Sequence, residues 1–139
     1  MVLVDSSVWI EALRRDGRVD VKVALESLLE EYEATFCGPV KLEVLGGARP
    51  REREKLETHF SRIPYLPMRD AAWNSAKELA WRLRDRGCIT PWNDILIAAL
   101  SHNVVCRIYT VDKHFEMMRD AGAGILLYQP GYGGAYNPN

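Results

Sequence analysis

The sequence has no apolar run longer than six residues, Ile95-Leu96-Ile97-Ala98-Ala99-Leu100. A bilayer-spanning helix needs roughly 20 such residues, so no segment is expected in a membrane. The first residues, Met1-Val2-Leu3-Val4-Asp5, show no basic stretch leading into a long apolar one. They read as a first strand and not as a secretory signal. Cysteine is scarce: Cys37, Cys88 and Cys106 form no Cys-x-x-Cys unit, and their odd number argues against a disulfide framework. That usage points to the reducing cytoplasm. Histidine is scattered as well. His59, His102 and His114 lack zinc spacing, and each is expected at a surface or a helix end. Charge of one sign is also missing, since 18 basic and 19 acidic residues leave a net charge of −1. Bulk charge therefore does not mark a nucleic-acid binder. No linker, repeat or low-complexity stretch precedes residue 129.

What remains is a chain of 139 residues, 47% hydrophobic and 27% charged, the size of one domain around one core. Most of its basic residues are arginines, and they bunch at Arg14, Arg15 and Arg18, at Arg49, Arg51 and Arg53, and at Arg82, Arg84 and Arg86. Guanidinium forks suit phosphate oxygens. These arginines also suit solvated helix faces paired with Glu52, Glu54, Glu78 and Asp85.

Strand-like and helix-like segments alternate along the chain. Val2 to Val4 predicts a short buried strand, and Asp5-Ser6-Ser7 an N-cap for a helix from Val8 to Arg15. Val21, Leu25, Leu28 and Leu29 recur at helical spacing to about Tyr32, and Ala34 to Cys37 is strand-like. Gly38-Pro39 opens a helix that carries Glu43 and stops at Gly46-Gly47, and Pro50 opens another to Ser61. Pro64 to Pro67 reads as extended. Asp70 caps a helix to Arg86, with Ala72, Ala76, Leu79 and Leu83 on one stripe. Thr90-Pro91 starts the helix of Asp94, Val104 to Tyr109 is a strand, Asp112 to Arg119 a helix, and Ile125 to Leu127 a last strand. This alternation predicts an α/β fold, a three-layer α/β/α sandwich on a small, mostly parallel sheet. Residues 1–128 form the domain. The Gly-, Pro-, Tyr- and Asn-rich residues 129–139 are expected as a flexible tail.

In open parallel sheets, ligands bind beyond the carboxyl ends of the strands. Asp5 and Asp112 directly follow strands, Asp94 lies in a helix's first turn, and Glu43 lies one turn into a helix that follows a strand. Each has an ordinary structural explanation as an N-cap, a helix-dipole partner or a solvated residue. Yet Leu42, Val44 and Leu45 flank Glu43, and Trp92, Ile95, Leu96 and Ile97 flank Asp94, which places both carboxylates near buried surface. Crowded carboxylates at low dielectric repel, and a hard divalent cation relieves that repulsion. Ser6 and Ser7 have no partner in the sequence that would activate them as nucleophiles. Acidic metal clusters suit phosphoryl transfer to water.

Four segments carry a resemblance. They are Val2-Leu3-Val4-Asp5-Ser6-Ser7-Val8-Trp9-Ile10-Glu11, Val40-Lys41-Leu42-Glu43-Val44-Leu45-Gly46-Gly47-Ala48, Asn93-Asp94-Ile95-Leu96-Ile97-Ala98-Ala99 and Tyr109-Thr110-Val111-Asp112-Lys113-His114-Phe115. In this order and spacing they resemble the PIN-domain family, and within it the VapC-type toxins of toxin–antitoxin pairs. The resemblance covers nearly the whole chain except the tail. It implies that Asp5, Glu43, Asp94 and Asp112 hold one or two Mg²⁺ (or Mn²⁺) ions. It further implies that Ser6 and Thr110 orient an acid or a water, with Asn93 in a supporting part. Where some members of the family carry a further acid, this chain has Lys113-His114-Phe115.

The implied activity is endoribonuclease cleavage, in which water attacks an RNA phosphodiester in line and leaves a 5′-phosphate and a 3′-hydroxyl. The family's substrates include structured RNAs such as tRNA and rRNA. The arginine clusters are candidates for the RNA backbone, and Tyr132 and Tyr136 for stacking on bases. The implied partners are a small DNA-binding antitoxin of the VapB type and a second copy of the chain in a homodimer or hetero-oligomer. Trp9, Trp73, Trp81 and Tyr32 are candidates either for the antitoxin groove or for the core.

Two other readings fit parts of the pattern. An Asp after a first strand also suits a phosphatase or a phosphorelay receiver, with Asp5 as nucleophile. The phosphatase pattern wants a second Asp at position 7, which is Ser, and the receiver pattern wants an acidic pair before Asp5, which the N-terminus lacks. A PIN-like scaffold without catalysis would have lost its acids, and all four are present.

Overall fold

A computed structural model describes all residues, 1–139. Five strands form one sheet: β1 (Val2–Val4), β2 (Ala34–Cys37), β3 (Tyr65–Leu66), β4 (Arg107–Tyr109) and β5 (Leu126–Leu127). Their order is β3-β2-β1-β4-β5, and every neighbouring pair is parallel. Seven helices connect them: α1 (Ser6–Leu13), α2 (Val19–Glu30), α3 (Gly38–Gly46), α4 (Pro50–Ser61), α5 (Asp70–Asp85), α6 (Trp92–Val104) and α7 (Lys113–Asp120). Right-handed crossovers place α1 to α4 on one face and α5 to α7 on the other. The expected α/β/α sandwich is therefore present. No helix is long and apolar enough to cross a membrane.

β1 is central, and Val2, Leu3 and Val4 are wholly buried, which is why the strand is apolar on both faces and does not alternate. On one face Phe36 of β2 meets Phe60 of α4, with ring centroids 4.8 Å apart, and Trp9 of α1 meets Phe60 at 4.9 Å. On the other face the stripe Ala72, Ala76, Leu79 and Leu83 of α5 is buried and packs toward α6. Strand order reverses between β1 and β4. Their carboxyl ends border the crevice where such sheets bind ligands.

Several boundaries differ from the sequence expectation. α1 starts at Ser6 because Asp5 is itself the N-cap, its side chain accepting from the Ser7 N–H. α6 continues to Val104, where a strand was expected to begin, and Val105 ends it in the left-handed region at φ 55°. Arg69, not Asp70, is the N-cap of α5, and Asp70 sits in its first turn.

The tail is a larger difference. Residues 129–139 fold back onto α2 and do not hang free as a flexible segment. Tyr128 is buried and its hydroxyl accepts from the Asn137 N–H at 2.9 Å, while the Asn137 amide donates to the Gln129 carbonyl at 2.9 Å. A 3₁₀ turn, Tyr132–Gly134, lies against α2. Gly134 (φ 93°) is buried so closely that a Cβ there would stand 2.5 Å from the Asp20 carbonyl oxygen and 2.9 Å from the Ala24 nitrogen. A composition that favours disorder here permits a close backbone approach instead.

Gly134→Ala is therefore expected to cost about 1–3 kcal/mol, through both the clash and the left-handed backbone. Gly133→Ala (φ 64°) faces open space and should cost less than Gly134→Ala, about 1 kcal/mol for the backbone conformation alone. Urea unfolding midpoints compare the two, and equal costs would show that the tail does not pack on α2.

Candidate active site

Sheet register builds the site first. Val4 pairs with Tyr109, and the Asp5 N–H continues the ladder by donating to the Tyr109 carbonyl at 2.9 Å. The next residues out, Asp5 and Thr110, therefore stand side by side at the carboxyl edge. Helices that follow or precede parallel strands run antiparallel to them, so the N-termini of α1, α3, α6 and α7 all point to this edge. α1 supplies Asp5 as its N-cap, α6 carries Asp94 in its first turn, and α7 has Asp112 as its N-cap. The positive ends of these helices face carboxylates, which favours the charged forms.

Asp5 is 2% exposed. Its Oδ2 accepts from the Ser7 hydroxyl at 2.6 Å, the Thr110 hydroxyl at 3.0 Å and the Ser7 N–H at 3.3 Å. Burial raises its pKa above the ordinary carboxylate value, and those hydrogen bonds offset part of the rise. The Thr110 hydroxyl in turn accepts from the Asp112 N–H at 2.9 Å, and the Ser7 hydroxyl accepts from the Val111 N–H at 3.2 Å. With every donor on Oδ2, the buried Oδ1 has no hydrogen-bond partner at all.

Asp94 and Asp112 meet around a histidine. His114 Nδ1 lies 3.0 Å from Asp94 Oδ2 and 3.0 Å from Asp112 Oδ1. One ligand atom from each of the three falls within 4.8 Å of the others. Asp94 is pushed up to about 6, first by burial, then by the charges of Asp5 and Asp112, with His114 pulling the other way. Glu43 stands outside this group. Its Oε2 accepts from the Ser6 hydroxyl at 2.8 Å and its Oε1 from the Asn93 amide at 3.2 Å. It is thereby tied to the residues next to Asp5 and Asp94.

All four predicted acids thus lie along one edge of the sheet, with Asp94 and Asp112 in direct company and Asp5 and Glu43 each held by bonds of its own. Thr110 holds Asp5, as expected of a hydroxyl at that position. Ser6 holds Glu43, and Asn93 supports the same carboxylate. Two residues were missed. Ser7 had been given no role, although a Ser two residues after an Asp N-cap can bond back to it. His114 lies at a helix end, as expected, in the first turn of α7, and from there it also joins the acids. Its nearest sequence clue was Asp112, and its second partner, Asp94, lies 20 residues away. The partnerless oxygen of Asp5 and the mutual repulsion felt by Asp94 are the features a divalent cation would satisfy.

Away from the acids, the arginine clusters separate. Arg14, Arg15, Arg49 and Arg51 rim a groove of about 650 Å³ that begins at Glu43 and is floored by Ile10, Leu13, Val44 and Leu56. Arg84 instead stacks on Trp92 at 4.4 Å, on α5 and α6. Trp9 belongs to the core, whereas Trp73, Trp81 and Trp92 are each more than half exposed on the α5–α6 face and Tyr32 is exposed elsewhere. None of these five aromatics lines the arginine-rimmed groove.

Comparison with known proteins gives concordant matches. The family pattern described as the PIN domain matches residues 2–120. "Ribonuclease VapC11" of Mycobacterium tuberculosis is 32% identical over 123 residues, covering 85% of this chain and 91% of the relative. The same identity and coverage hold for "VapC ribonuclease Mb1587" of Mycobacterium bovis. Among solved structures, FitAcB from Neisseria gonorrhoeae superimposes with a TM-score of 0.75 at 18% identity, over 93% of this chain and 97% of that one. VapBC2 from Rickettsia felis, bound to a DNA fragment from its promoter, gives a TM-score of 0.75 at 19% identity, over 92% and 98%. The structural matches bear on the fold.

The raised pKa of Asp94 has a sign that can be measured. In the folded protein its charge is penalised, so the penalty is absent below the ordinary value of 3.8, grows as pH rises and is full above about 6. Asp94→Asn removes it. In EDTA the variant should be more stable than the parent at pH 7.5, by on the order of 1–3 kcal/mol, and the gain should vanish near pH 4. Thermal unfolding across that range checks this, and a gain independent of pH would contradict the origin assigned to it.

Proposed function

The chain belongs to the PIN-domain family, and on that premise we propose that it is a divalent-metal-dependent endoribonuclease, the toxin half of a toxin–antitoxin pair. The observation that carries this reading is the meeting of Asp94, Asp112 and His114, with the charge of Asp5 near enough to be felt by Asp94 and a buried Asp5 oxygen left without a partner. Asp5, Asp94 and Asp112 would hold the cation, with His114 as a nitrogen neighbour and Glu43 on the flank. Oxygen-rich donors suit Mg²⁺, and the single imidazole suits Mn²⁺ equally. A bound cation supplies a Lewis acid that activates water and neutralises charge on the phosphate oxygens.

The side chains do the positioning. Ser7 and Thr110 lock Asp5 through Oδ2, which leaves Oδ1 fixed in direction. Ser6 and Asn93 hold Glu43 differently, one on each carboxylate oxygen. No side chain is set up as a covalent nucleophile. The Ser6 and Ser7 hydroxyls are committed to carboxylates, and the buried Cys37 thiol is pushed up to about 11 by burial. The acidic metal site suits water as the attacking group, in preference to the RNA's own 2′-hydroxyl, and a 5′-phosphate product distinguishes the two. A bond forms between the water oxygen and phosphorus, the bond from phosphorus to the 3′ oxygen breaks, and that oxygen takes up a proton. The arginine rim beside Glu43 suits the backbone of a structured RNA, with tRNA and rRNA loops as the substrate class.

A small antitoxin fits the same groove. Ile10 and Leu13 are each 46% exposed there, an apolar floor for an amphipathic segment, and a basic side chain from that segment would meet the acids. Several solved relatives are toxin–antitoxin complexes bound to DNA, such as VapBC from Salmonella typhimurium. The expected homodimer has a separate apolar surface in the exposed tryptophans of α5 and α6.

Asp5→Asn and Asp94→Asn should each lower RNA cleavage by ~100-fold or more, and EDTA should abolish cleavage by the parent. Ser7→Ala should cost ~10–100-fold, because it loosens Asp5 without removing a ligand. Gel-resolved cleavage of a tRNA and rRNA pool reads all three, and activity unchanged by Asp94→Asn would end the nuclease reading. Leu13→Asp, in turn, should lose the small partner that co-purifies with the parent from its native host, while EDTA-sensitive cleavage persists.

A further inference from the structure

A second cavity, of about 460 Å³, opens at the carboxyl ends of β4 and β5 and shares Thr110 and Asp112 with the acidic site. We infer that it receives one nucleobase of the RNA, next to the phosphate held at the acids, and so sets the base preference of cleavage. This rests on the nuclease reading above and adds to it where the sequence of the substrate is read.

The cavity has the make-up of a base pocket. Its volume is in the range of small-ligand sites, and its lining mixes an apolar floor with a few convergent polar groups. Ile108 and Leu127 belong to the floor, beside Tyr109 and Tyr128, whose rings meet edge-on at 5.5 Å. Ile108, Tyr109 and Tyr128 are almost wholly buried beneath it, so a planar base would lie against half-buried Leu127 and the tail backbone at Gly131 and Gly133 and leave its edge to be read. Glu116 from α7 and Gln129 from the tail line the cavity with an acceptor carboxylate and an amide that both donates and accepts, the groups that tell one base edge from another. Lys113, the residue after Asp112, also lines it and suits an adjoining phosphate. Lys113 and Glu116 form no ion pair with each other or with any other residue, so both remain free for a ligand. Across the cavity Arg18 and Asp20 do pair, Nη2 to Oδ2 at 2.7 Å, and make a fixed rim.

One wall is the tail. Gln129, Pro130, Gly131, Gly133 and Gly134 line it, and all lie beyond residue 120, where the PIN-domain match ends. The wall is preformed, since Asn137 ties the tail to Tyr128 and to Arg107, and Gly134 is seated on α2. The acids lie within the family match, whereas this wall lies beyond it. Base preference is therefore expected to depend on residues outside the family pattern.

Short single-stranded RNAs carrying each of the four bases on either side of the cleaved bond test this. They are cut by the parent, by Gln129→Trp, which fills the cavity, and by Glu116→Gln, which keeps its shape and removes one charge. The parent should favour one base at one flanking position by ~10-fold or more in kcat/KM. Gln129→Trp should shrink that preference to within ~2-fold and Glu116→Gln should change its order, while both keep the Mn²⁺-induced rise in Tm. Amide NMR shifts of the metal-free protein with AMP, GMP, CMP and UMP give an independent readout, with shifts expected at Gly131 and Gly133 in the parent and lost in Gln129→Trp. Equal cutting of all bases by the parent, or a preference untouched by both variants, overturns the pocket. Nucleotide shifts without any RNA cleavage would keep the pocket and sink the nuclease reading, whereas cleavage without shifts at those glycines would do the reverse.

Discussion

Carboxylates crowded into a half-buried space repel one another, and the carboxyl edge of this sheet is arranged around that repulsion. Two unit charges 4 Å apart cost about 4 kcal/mol at the effective dielectric of a protein surface. One helix N-terminus returns about 0.3–1 kcal/mol, and a hydrogen bond to a charged group about 1.5–3 kcal/mol. Asp5 accepts three hydrogen bonds at Oδ2, and Glu43 accepts two. Asp94 has only His114 and remains raised to about 6. The protein's own compensation is thus partial for Asp5, whose pKa stays raised, and weaker still for Asp94. The deficit sits where a cation would bring the largest gain.

The same edge depends on the rigidity behind it. Asp5 and Thr110 are neighbours only because Val4 and Tyr109 are in register, and that register is held by a central strand with no exposed surface. A one-residue slip would reverse which side chains face the core and would also part Asp5 from Thr110. Fold stability and site geometry are therefore one property here. The hydroxyls of Ser7 and Thr110 extend the ladder outward, converting backbone register into a fixed carboxylate direction.

Around this common centre lie three surfaces of different character. The groove at Glu43 is apolar at its floor and arginine-rich at its rim. The α5–α6 face exposes three tryptophans, two of which carry stacked cations, Lys77 on Trp81 and Arg84 on Trp92. The cavity at β4 and β5 is polar and is closed by the tail. Only the first and third border the acids, and the tryptophan face lies apart from them.

Much of this was legible in the sequence. Alternating apolar segments and punctuating Gly and Pro residues announced an α/β sandwich, because burial on both faces of a parallel strand demands continuous apolar runs. The four acids were also legible, since a carboxylate just beyond a strand or flanked by apolar residues is costly unless used. Helix ends were less so: whether Asp5 or Ser7 caps α1 is decided by a single hydrogen bond. The role of His114, the turn of Ser6 toward Glu43 and of Ser7 toward Asp5, and the ordering of the tail belonged to the tertiary structure alone. They join residues as near as Ser7 and Asp5 and as far apart as Gly134 and Asp20, through side-chain direction or backbone approach. Composition and periodicity describe which surfaces a segment wants to bury; they carry no information about which distant atom will stand 3 Å from a given oxygen, and that distance is what makes a site.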